Sequence, residues 1–303
     1  MNKFIKNTIL FSTPVIIFIV IVELLLRNIP NDYSYKKNYL DKHSNTIETL
    51  FLGSSHSYRS INPELIQSTS FNASYVSQSI DYDFEILKKY ENKTSKLKFI
   101  VVPIDYFTLF NGLDTGIESW RIKNYTIYFG FGQSYNYKDN FELLNGKLVE
   151  NLKKLVQFYV FHKSEVSCNS LGWGSRHNSK NKDLLITGKT AALRHTQKSK
   201  SYYNENTEIV NKIIAIAKSK KAKVIFYTHP AYKTYVSNLN KRQLETTYVT
   251  IRSITNSNSN VYYYDFLNEP SFKKEDYFDA DHLNEIGAKK FSKKMDSIIM
   301  TLK

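Results

Sequence analysis

The chain has 303 residues, of which 42% are hydrophobic and 15% aromatic, so it can bury a sizeable core and is not a disordered polypeptide. Its net charge of +14 comes from scattered lysines and arginines without a nucleic-acid-binding motif, so no nucleic-acid partner is expected. The single cysteine, Cys168, excludes an intramolecular disulfide, and seven dispersed histidines predict neither a metal site nor a cofactor.

The N-terminal segment predicts a membrane anchor. Lys3 and Lys6 precede an apolar stretch from Thr8 to Leu26, in which Glu23 is the only charged residue. About 20 apolar residues span a bilayer, and cationic residues on the short leading side place the N-terminus in the cytoplasm. A cleaved signal peptide is the alternative, but no Ala-x-Ala-like site follows the stretch, which favours an uncleaved anchor.

This pattern divides the chain into three parts. Residues 1–28 are expected to form the anchor, residues 29–46 a linker, and residues 47–303 a domain outside the cytoplasm, periplasmic or extracellular. In that compartment the basic surface would meet anionic lipid headgroups and acidic polysaccharides, although a merely solvated lysine-rich surface explains the charge equally well.

Beyond the linker, short apolar runs alternate with amphipathic stretches. Strands are predicted at 48–52, 70–73, 98–104, 224–227 and 261–264, and helices at 62–67, 79–92, 207–222, 239–254 and 284–302. Alternation of this kind predicts an α/β fold, a doubly wound parallel sheet with helices on both faces. Ligands of such sheets bind beyond the carboxyl ends of the strands.

The alternation breaks between about residues 106 and 203. Aromatic residues cluster there, a helix is predicted from about 139 to 162, and the segment is interpreted as an insertion that caps the strand ends. Trp173 is a candidate platform for stacking on a sugar ring. Packing within the insertion's own small core is the alternative for its aromatic residues.

The most informative motif is Gly53-Ser54-Ser55, which directly follows the first predicted strand. A strand ending in this sequence presents a hydroxyl at a strand-to-helix turn, where the first backbone N–H groups of the helix converge. Asn62 and Pro63 are typical of an N-cap and a first helical position, so that helix is expected to begin there.

A second motif, Asp279-Ala280-Asp281-His282, lies close to the C-terminus. An Asp three residues before a His on one loop can hold the imidazole in the tautomer that accepts a serine proton. His195 and His229 are rival bases, but neither has an Asp three residues upstream.

Together these motifs resemble the SGNH/GDSL hydrolase superfamily, particularly its membrane-anchored branch of polysaccharide O-acetyltransferases and DltD-like proteins. The resemblance covers residues 46–302 and implies catalytic roles for Ser55, Asp279 and His282. It also implies that the Ser55 N–H, with that of Ser74 or Ser77, forms the oxyanion hole. The family's Gly-x-Asn-Asp block is not visible, because Pro103-Ile104-Asp105-Tyr106 stands at its place.

The resemblance implies a membrane-anchored esterase or O-acyltransferase that acts on acyl esters, with acetyl as the expected acyl group, of a cell-surface polysaccharide. Asp105 and His229, which follow two predicted strands, and Trp173 are predicted to contact that substrate. A polytopic membrane acyltransferase is implied as the partner that supplies the acyl group. The alternative is an inactive scaffold or binding subunit of a polysaccharide assembly complex that has kept the fold.

Overall fold

A computed structural model describes residues 3–132, 136–174, 183–197 and 202–303. The chain divides into two compact units, one made of Met1–Lys37 with Ser119–Ser167 and the other of Asn38–Glu118 with Cys168–Lys303. We refer to them as the N-terminal unit and the sheet unit. The sequence-based boundaries at residues 28 and 46 remain predictions.

The helices and strands of the described residues follow one another in an α/β order. The helices are α1 (Lys3–Arg27), α2 (Asp32–His43), α3 (Ser55–Ser60), α4 (Ile80–Tyr90), α5 (Ile122–Asn124), α6 (Leu148–Tyr159), α7 (Leu184–His195), α8 (Tyr203–Ser219), α9 (Lys233–Val236), α10 (Lys241–Asn256) and α11 (Glu285–Thr301). The strands are β1 (Thr49–Phe51), β2 (Ser70–Asn72), β3 (Phe99–Pro103), β4 (Lys223–Thr228), β5 (Val261–Asp265), β6 (Tyr277–Asp279) and β7 (His282–Leu283).

The first five strands form one parallel sheet in the order β2-β1-β3-β4-β5, and β6 pairs with β7 in a small antiparallel hairpin. Leu50 in the middle of β1 is in register with Phe71 of β2 and Ile100 of β3. The strand order therefore reverses at β1, and the crevice between the carboxyl ends of β1 and β3 is the topological switch point of the sheet.

Both faces of the sheet are covered, as the sequence predicts for a doubly wound fold. One face packs on α11 through Phe291, Met295 and Ile299 in a single apolar cluster. The alternate residues of the strands point to the opposite face, and Leu50 and Ile100 among them are fully buried as well. On that side α8 contacts β4 and α4 packs against α8. The α/β class with a doubly wound parallel sheet is thus confirmed.

Two predicted helices differ from the structure. The helix after the Gly-Ser-Ser turn begins at Ser55 instead of near residue 62, and Pro63–Leu65 forms only one 3-10 turn, in which the Asn62 side chain accepts the Glu64 N–H. The helix predicted from 139 to 162 is limited to α6, because short 3-10 turns at Tyr137–Asn140 and Leu143–Asn145 precede it.

The N-terminal unit explains why an apolar helix carries an acidic residue near its end. Glu23 of α1 pairs with Arg27 at 2.6 Å and accepts the N–H groups of Glu142 and Leu143 at 3.0 and 2.9 Å. Val22 and Leu26 pack with residues of the same segment. Among the described residues, α1 is the one helix long and apolar enough to cross a membrane, which is compatible with an anchor or a signal sequence.

Candidate active site

The turn between β1 and α3 lies at the switch point of the sheet. Gly53 adopts φ +116°, and a Cβ there would stand 2.4 Å from the Pro103 ring at the end of β3, so only glycine fits. The next residue, Ser54, is the N-cap of α3 and accepts the His56 N–H on its side chain. Ser55 is consequently the first residue of the helix, where its own N–H has no acceptor within the helix.

The Ser55 hydroxyl is hydrogen-bonded to a histidine from the other end of the chain. Ser55 Oγ lies 2.8 Å from Nε2 of His282, and Nδ1 of that imidazole lies 2.8 Å from Oδ1 of Asp279. The β6–β7 hairpin holds the two partners on adjacent strands, because Asp279 and His282 are in register. With the proton on Nδ1, the imidazole donates to Asp279 and accepts from Ser55, which is the arrangement needed to remove a serine proton.

A second carboxylate stands behind this arrangement. Asp281 is buried, and its oxygens lie 3.6 Å from Nδ1 of His282, 3.7 Å from Nε2 of His56 and 3.9 Å from Nε2 of His195. On its other side, His56 donates its Nδ1 proton to Asp105 Oδ2 at 2.7 Å. A buried line of polar groups therefore runs from Asp105 through His56 and Asp281 to the imidazole next to Ser55.

The histidines and carboxylates along this line stabilise one another's charges. Burial opposes a charge on His56, but the carboxylates of Asp105 and Asp281 outweigh it and raise the pKa of the His56 imidazole to about 10. Burial likewise disfavours a charged Asp281, yet the imidazoles of His282, His56 and His195 hold the pKa of that carboxyl well below its usual range. The cation on His56 thus lies between two anions, which offsets the cost of burying all three.

An open cavity of about 420 Å³ lies in front of Ser55 and His282. Its wall includes Phe107, Asn111 and Leu113 after β3, together with Arg194 and His195 at the end of α7. Parts of the predicted insertion therefore line the space beyond the strand ends, where ligands of doubly wound sheets bind. The Arg194 guanidinium also pairs with Asp281 at 3.3 Å, which ties this wall to the buried line of charges.

The structure separates the three candidate donors to an oxyanion. Ser55 lies at the cavity with its N–H at the helix N-terminus. Ser77 also lines the cavity, in the left-handed conformation with φ +61°, and no hydrogen bond of its N–H is found among the residues described. Ser74 is placed differently from the expectation, because it is fully buried away from the cavity and its N–H donates to Asn72 Oδ1 at 3.1 Å.

The three predicted substrate contacts do not line the cavity. Asp105 is buried against His56 and accepts the His229 N–H at 2.8 Å. The His229 ring is buried 4.6 Å from the His56 ring and bonds Ser60 through Nε2. Trp173 donates its indole N–H to the Arg59 carbonyl at 2.7 Å. All three make protein contacts where the sequence predicted contact with a ligand.

The rival bases are also accounted for. His195 reaches the cavity, but its Nδ1 lies 2.8 Å from the Tyr235 hydroxyl, and burial lowers the pKa of its imidazole to about 3. Burial, together with neighbouring imidazoles, holds the pKa of His229 well below its usual value. Neither ring is bonded to Ser55, whereas His282 is.

Asp83 is a further titratable group at the turn. Its carboxylate Oδ1 accepts the Gly53 N–H at 2.6 Å and bonds the Gln78 amide, and it lies at the cavity wall. Burial raises the pKa of the Asp83 carboxyl to about 7. The backbone two residues before Ser55 is thus held by a group that changes its charge near neutral pH.

Ligand-type atoms of His56, Asp281 and His282 lie within 4.8 Å of one another, which is the spacing of a metal site. Both ring nitrogens of His282 are already bonded, one to Ser55 and one to Asp279, and the Arg194 cation occupies the approach to Asp281. The donor set therefore fits a cluster of ion pairs around a hydrogen-bonded His282 better than a metal centre. That no metal is needed remains a prediction.

Sequence reasoning missed His56, Asp281 and Asp83. Both His56 and Asp281 belong to the two motifs or adjoin them, since His56 follows Ser55 directly and Asp281 precedes His282. An acidic and a basic residue beside the candidate triad residues were a usable signal. Nothing local marks Asp83, because its contact with Gly53 joins positions 30 residues apart.

No family model matches the chain, and no curated protein matches it. Among solved structures, it is similar to a chain from Streptococcus pneumoniae assigned as a platelet activating factor. The TM-score is 0.43 and the identity 12%, and the match covers 95% of this chain and 98% of that one. It is also similar to a chain from Bacteroides fragilis assigned as an acylhydrolase, with a TM-score of 0.43, 9% identity and coverage of 90% and 100%.

Proposed function

We propose that the sheet unit is a serine esterase or O-acyltransferase of the SGNH type. The observation that carries the proposal is the continuous hydrogen-bonded chain from Ser55 through His282 to Asp279, which opens on a cavity at the switch point of the sheet. Each of these residues comes from a motif that the sequence singles out, and the two motifs are more than 220 positions apart.

In the proposed reaction, Ser55 Oγ attacks the carbonyl carbon of an acyl ester while its proton passes to Nε2 of His282. Asp279 accepts the Nδ1 proton in a hydrogen bond throughout and stabilises the imidazolium that forms. The oxyanion would be held by the N–H groups of Ser55 and Ser77, which both lie at the cavity. Collapse of the tetrahedral intermediate breaks the ester C–O bond, and His282 returns the proton to the leaving alcohol.

The acyl-enzyme on Ser55 is then released by a second hydroxyl group. Water gives hydrolysis, and a sugar hydroxyl gives transfer. His282 removes the proton of either attacking group and returns it to Ser55 Oγ as the bond between Oγ and the acyl carbon breaks. The carboxylate of Asp281 lies 3.6 Å from His282 Nδ1, so a second anion faces the imidazolium in both half-reactions. His56 and Asp105 in turn position Asp281 from behind.

We further propose that the substrate is an acetylated cell-surface polysaccharide and that α1 anchors the protein with the sheet unit outside the cytoplasm. The support is the SGNH resemblance together with the hydropathy of α1 and the lysines that precede it. A polytopic membrane acyltransferase is the proposed partner if the reaction is transfer. This topology predicts that alkaline phosphatase fused after Lys303 is active, and that green fluorescent protein fused at the same position does not fluoresce. The reverse pattern contradicts it.

An inactive scaffold is the second candidate function. One observation favours it: Asp105, at the place of the family's Asn-containing block, is committed to His56 and to the His229 N–H, and does not line the cavity. Loss of one oxyanion donor typically costs about 100- to 1,000-fold in rate. The two functions therefore differ in whether measurable turnover depends on Ser55.

Hydrolysis of p-nitrophenyl acetate by the full-length protein in detergent separates the two. Ser55→Ala should lower kcat by about 1,000-fold or more, because the triad acts as a unit. The matched control is Ser54→Ala, which removes the N-cap acceptor of α3 and should cost about tenfold through a looser turn. Equal rates for Ser55→Ala and wild type, at matched circular dichroism spectra, would leave only the scaffold.

A further inference from the structure

Helix α6 carries an exposed apolar arc that the N-terminal unit does not cover. Six side chains between 41% and 64% exposed form it, namely Leu148, Val149, Leu152, Val156, Tyr159 and Val160. At 100° per residue these positions fall within about 120° of the helix circumference. Glu150 and Lys154 lie on the opposite side of the helix, and Lys153 lies beside the edge of the arc. A contiguous exposed patch of this kind indicates an interaction surface.

The neighbouring arc of the same helix is already packed against α1. Leu155 and Phe158 contact the cluster of Val22, Leu26 and Ile29, and the Tyr159 hydroxyl donates to the Leu25 carbonyl at 2.9 Å. The exposed arc therefore lies between the surface that packs on α1 and the charged side. Tyr159 belongs to the exposed arc and also touches α1, so the two apolar surfaces are continuous.

The contacts place α6 near the end of α1 that follows its apolar stretch. The helix has 25 residues, about 37 Å at 1.5 Å per residue, against a hydrocarbon core of about 30 Å. Val22 to Leu26 occupy its last turns, immediately before Arg27. The Glu23 carboxylate fixes the position of α6 along α1, because it accepts the N–H groups of Glu142 and Leu143 in the segment that leads into α6.

We propose that α6 is an interfacial membrane helix that lays its exposed apolar arc into the boundary between headgroups and acyl chains. The inference rests on α1 as a membrane span, and adds a second lipid contact to it. An amphipathic helix at this level buries its apolar face about 5–10 Å into the leaflet, with its basic face towards the headgroups. Lys147 and Lys163 at the two ends suit anionic lipids, whereas Lys153 and Lys154 pair with Glu150 and Glu165.

Lipid is favoured over a protein partner because the exposed arc of α6 is continuous with the apolar surface of α1. The side chains of α1 along the same stretch, such as Phe18 and Leu24, are more than half exposed, and they face lipid if α1 spans the bilayer. An arc that continues this surface at the level of its last turns meets the same environment. A protein partner would instead have to cover the arc while leaving the adjoining α1 surface in lipid.

A fluorescent label tests the proposal in the full-length protein. Cys168 is the one cysteine, so Cys168→Ser provides a background in which Leu152→Cys is labelled with an NBD probe. The protein is reconstituted into vesicles of phosphatidylcholine and phosphatidylglycerol, with and without doxyl-labelled lipid. The matched control is Glu150→Cys on the charged side, and Val156→Cys is a second position on the arc, exposed enough to accept the change.

We expect blue-shifted emission at positions 152 and 156 and quenching by doxyl lipid at least about threefold stronger than at position 150. Water-like emission at 152 and 156 in vesicles that carry the protein would overturn the proposal while leaving α1 as a span. Blue-shifted emission without lipid quenching would also overturn it, since protein then covers the arc. Failure of the protein to float with the vesicles would refute the premise about α1, and with it the proposal, without touching the esterase assignment.

Discussion

The buried pair of His56 and Asp105 predicts a stability that depends on pH in a defined direction. Both side chains are 4% exposed, with Nδ1 and Oδ2 2.7 Å apart. The pKa of His56 is raised to about 10, against the cost of burial, by the carboxylates of Asp105 and Asp281. Because the folded pKa exceeds the unfolded one of about 6.5, this stabilisation is complete below pH 6.5 and is lost as the pH rises through 10.

The size of the effect follows from the shift. At about 1.4 kcal/mol per unit, a change from 6.5 to about 10 corresponds to at most about 5 kcal/mol, and breaking a buried pair typically costs about 3–5 kcal/mol. His56→Asn keeps an N–H close to Nδ1 but removes the charge. It should lower the free energy of unfolding by about 3–5 kcal/mol at pH 6 and by about 1 kcal/mol at pH 10.

The assay is thermal unfolding of the full-length protein in dodecyl maltoside, followed by circular dichroism at intervals from pH 6 to pH 10. For a chain of this size, about 3 kcal/mol corresponds to a fall in Tm of about 5 °C. The double variant His56→Asn/Asp105→Asn is the matched control. It leaves no unpaired carboxylate at position 105 and keeps an Oδ1 acceptor for the His229 N–H, so it should be more stable than His56→Asn alone.

Two outcomes would refute this reasoning. One is a difference in Tm between wild type and His56→Asn that stays constant from pH 6 to pH 10, since a charged His56 requires the difference to shrink. The other is a double variant no more stable than His56→Asn, since the cost would then not come from an uncompensated carboxylate.

Two further predictions concern the turn that presents Ser55. Gly53→Ala should cost about 2–5 kcal/mol of stability and most of the esterase rate, because the new Cβ would overlap the Pro103 ring at a φ of +116°. Thermal unfolding measures the stability and p-nitrophenyl acetate hydrolysis measures the rate. The control Gly132→Ala, whose Cβ would meet nothing within 4 Å, should change neither. Asp83→Asn should become more stable than wild type as the pH rises from 4 to 7, by up to about 4 kcal/mol. Burial raises the pKa of Asp83 to about 7, so the charged carboxylate destabilises the folded wild type and the neutral amide does not. Tm curves of the two proteins that stay parallel over this range would contradict it.

The sequence was sufficient for the sheet and for the residues around Ser55. Strands rich in β-branched and aromatic residues, separated by amphipathic stretches, predict the five parallel strands within one or two residues. The positions of Ser55, Asp279 and His282 follow from two short motifs. Their mutual hydrogen bonds could only be inferred from the resemblance, because local patterns carry no information on contacts across 227 positions.

The remaining features depend on tertiary contacts. The predicted helix start at residue 62 is wrong because Asn62 and Pro63 match the usual sequence pattern of a helix N-terminus. Ser55–Ser60 lacks apolar residues at helical spacing, so packing and not local pattern determines where α3 begins. Asp105 and His229 lie at strand ends, as predicted, but face inward to His56 and not to the cavity. The buried line of charges joins three separate segments, so no window of the sequence contains it.

The most direct test of the central claim is covalent labelling of the nucleophile. The full-length protein in detergent is treated with a fluorophosphonate probe, digested, and the modified peptide is sequenced by mass spectrometry. The account predicts one adduct on Ser55, which is still formed in Ser54→Ala at a modestly lower rate and is lost or strongly slowed in His282→Ala, because His282 activates the hydroxyl. No adduct on wild type, or an adduct on Ser54 in its place, would contradict the assignment of Ser55 and His282 as the catalytic pair.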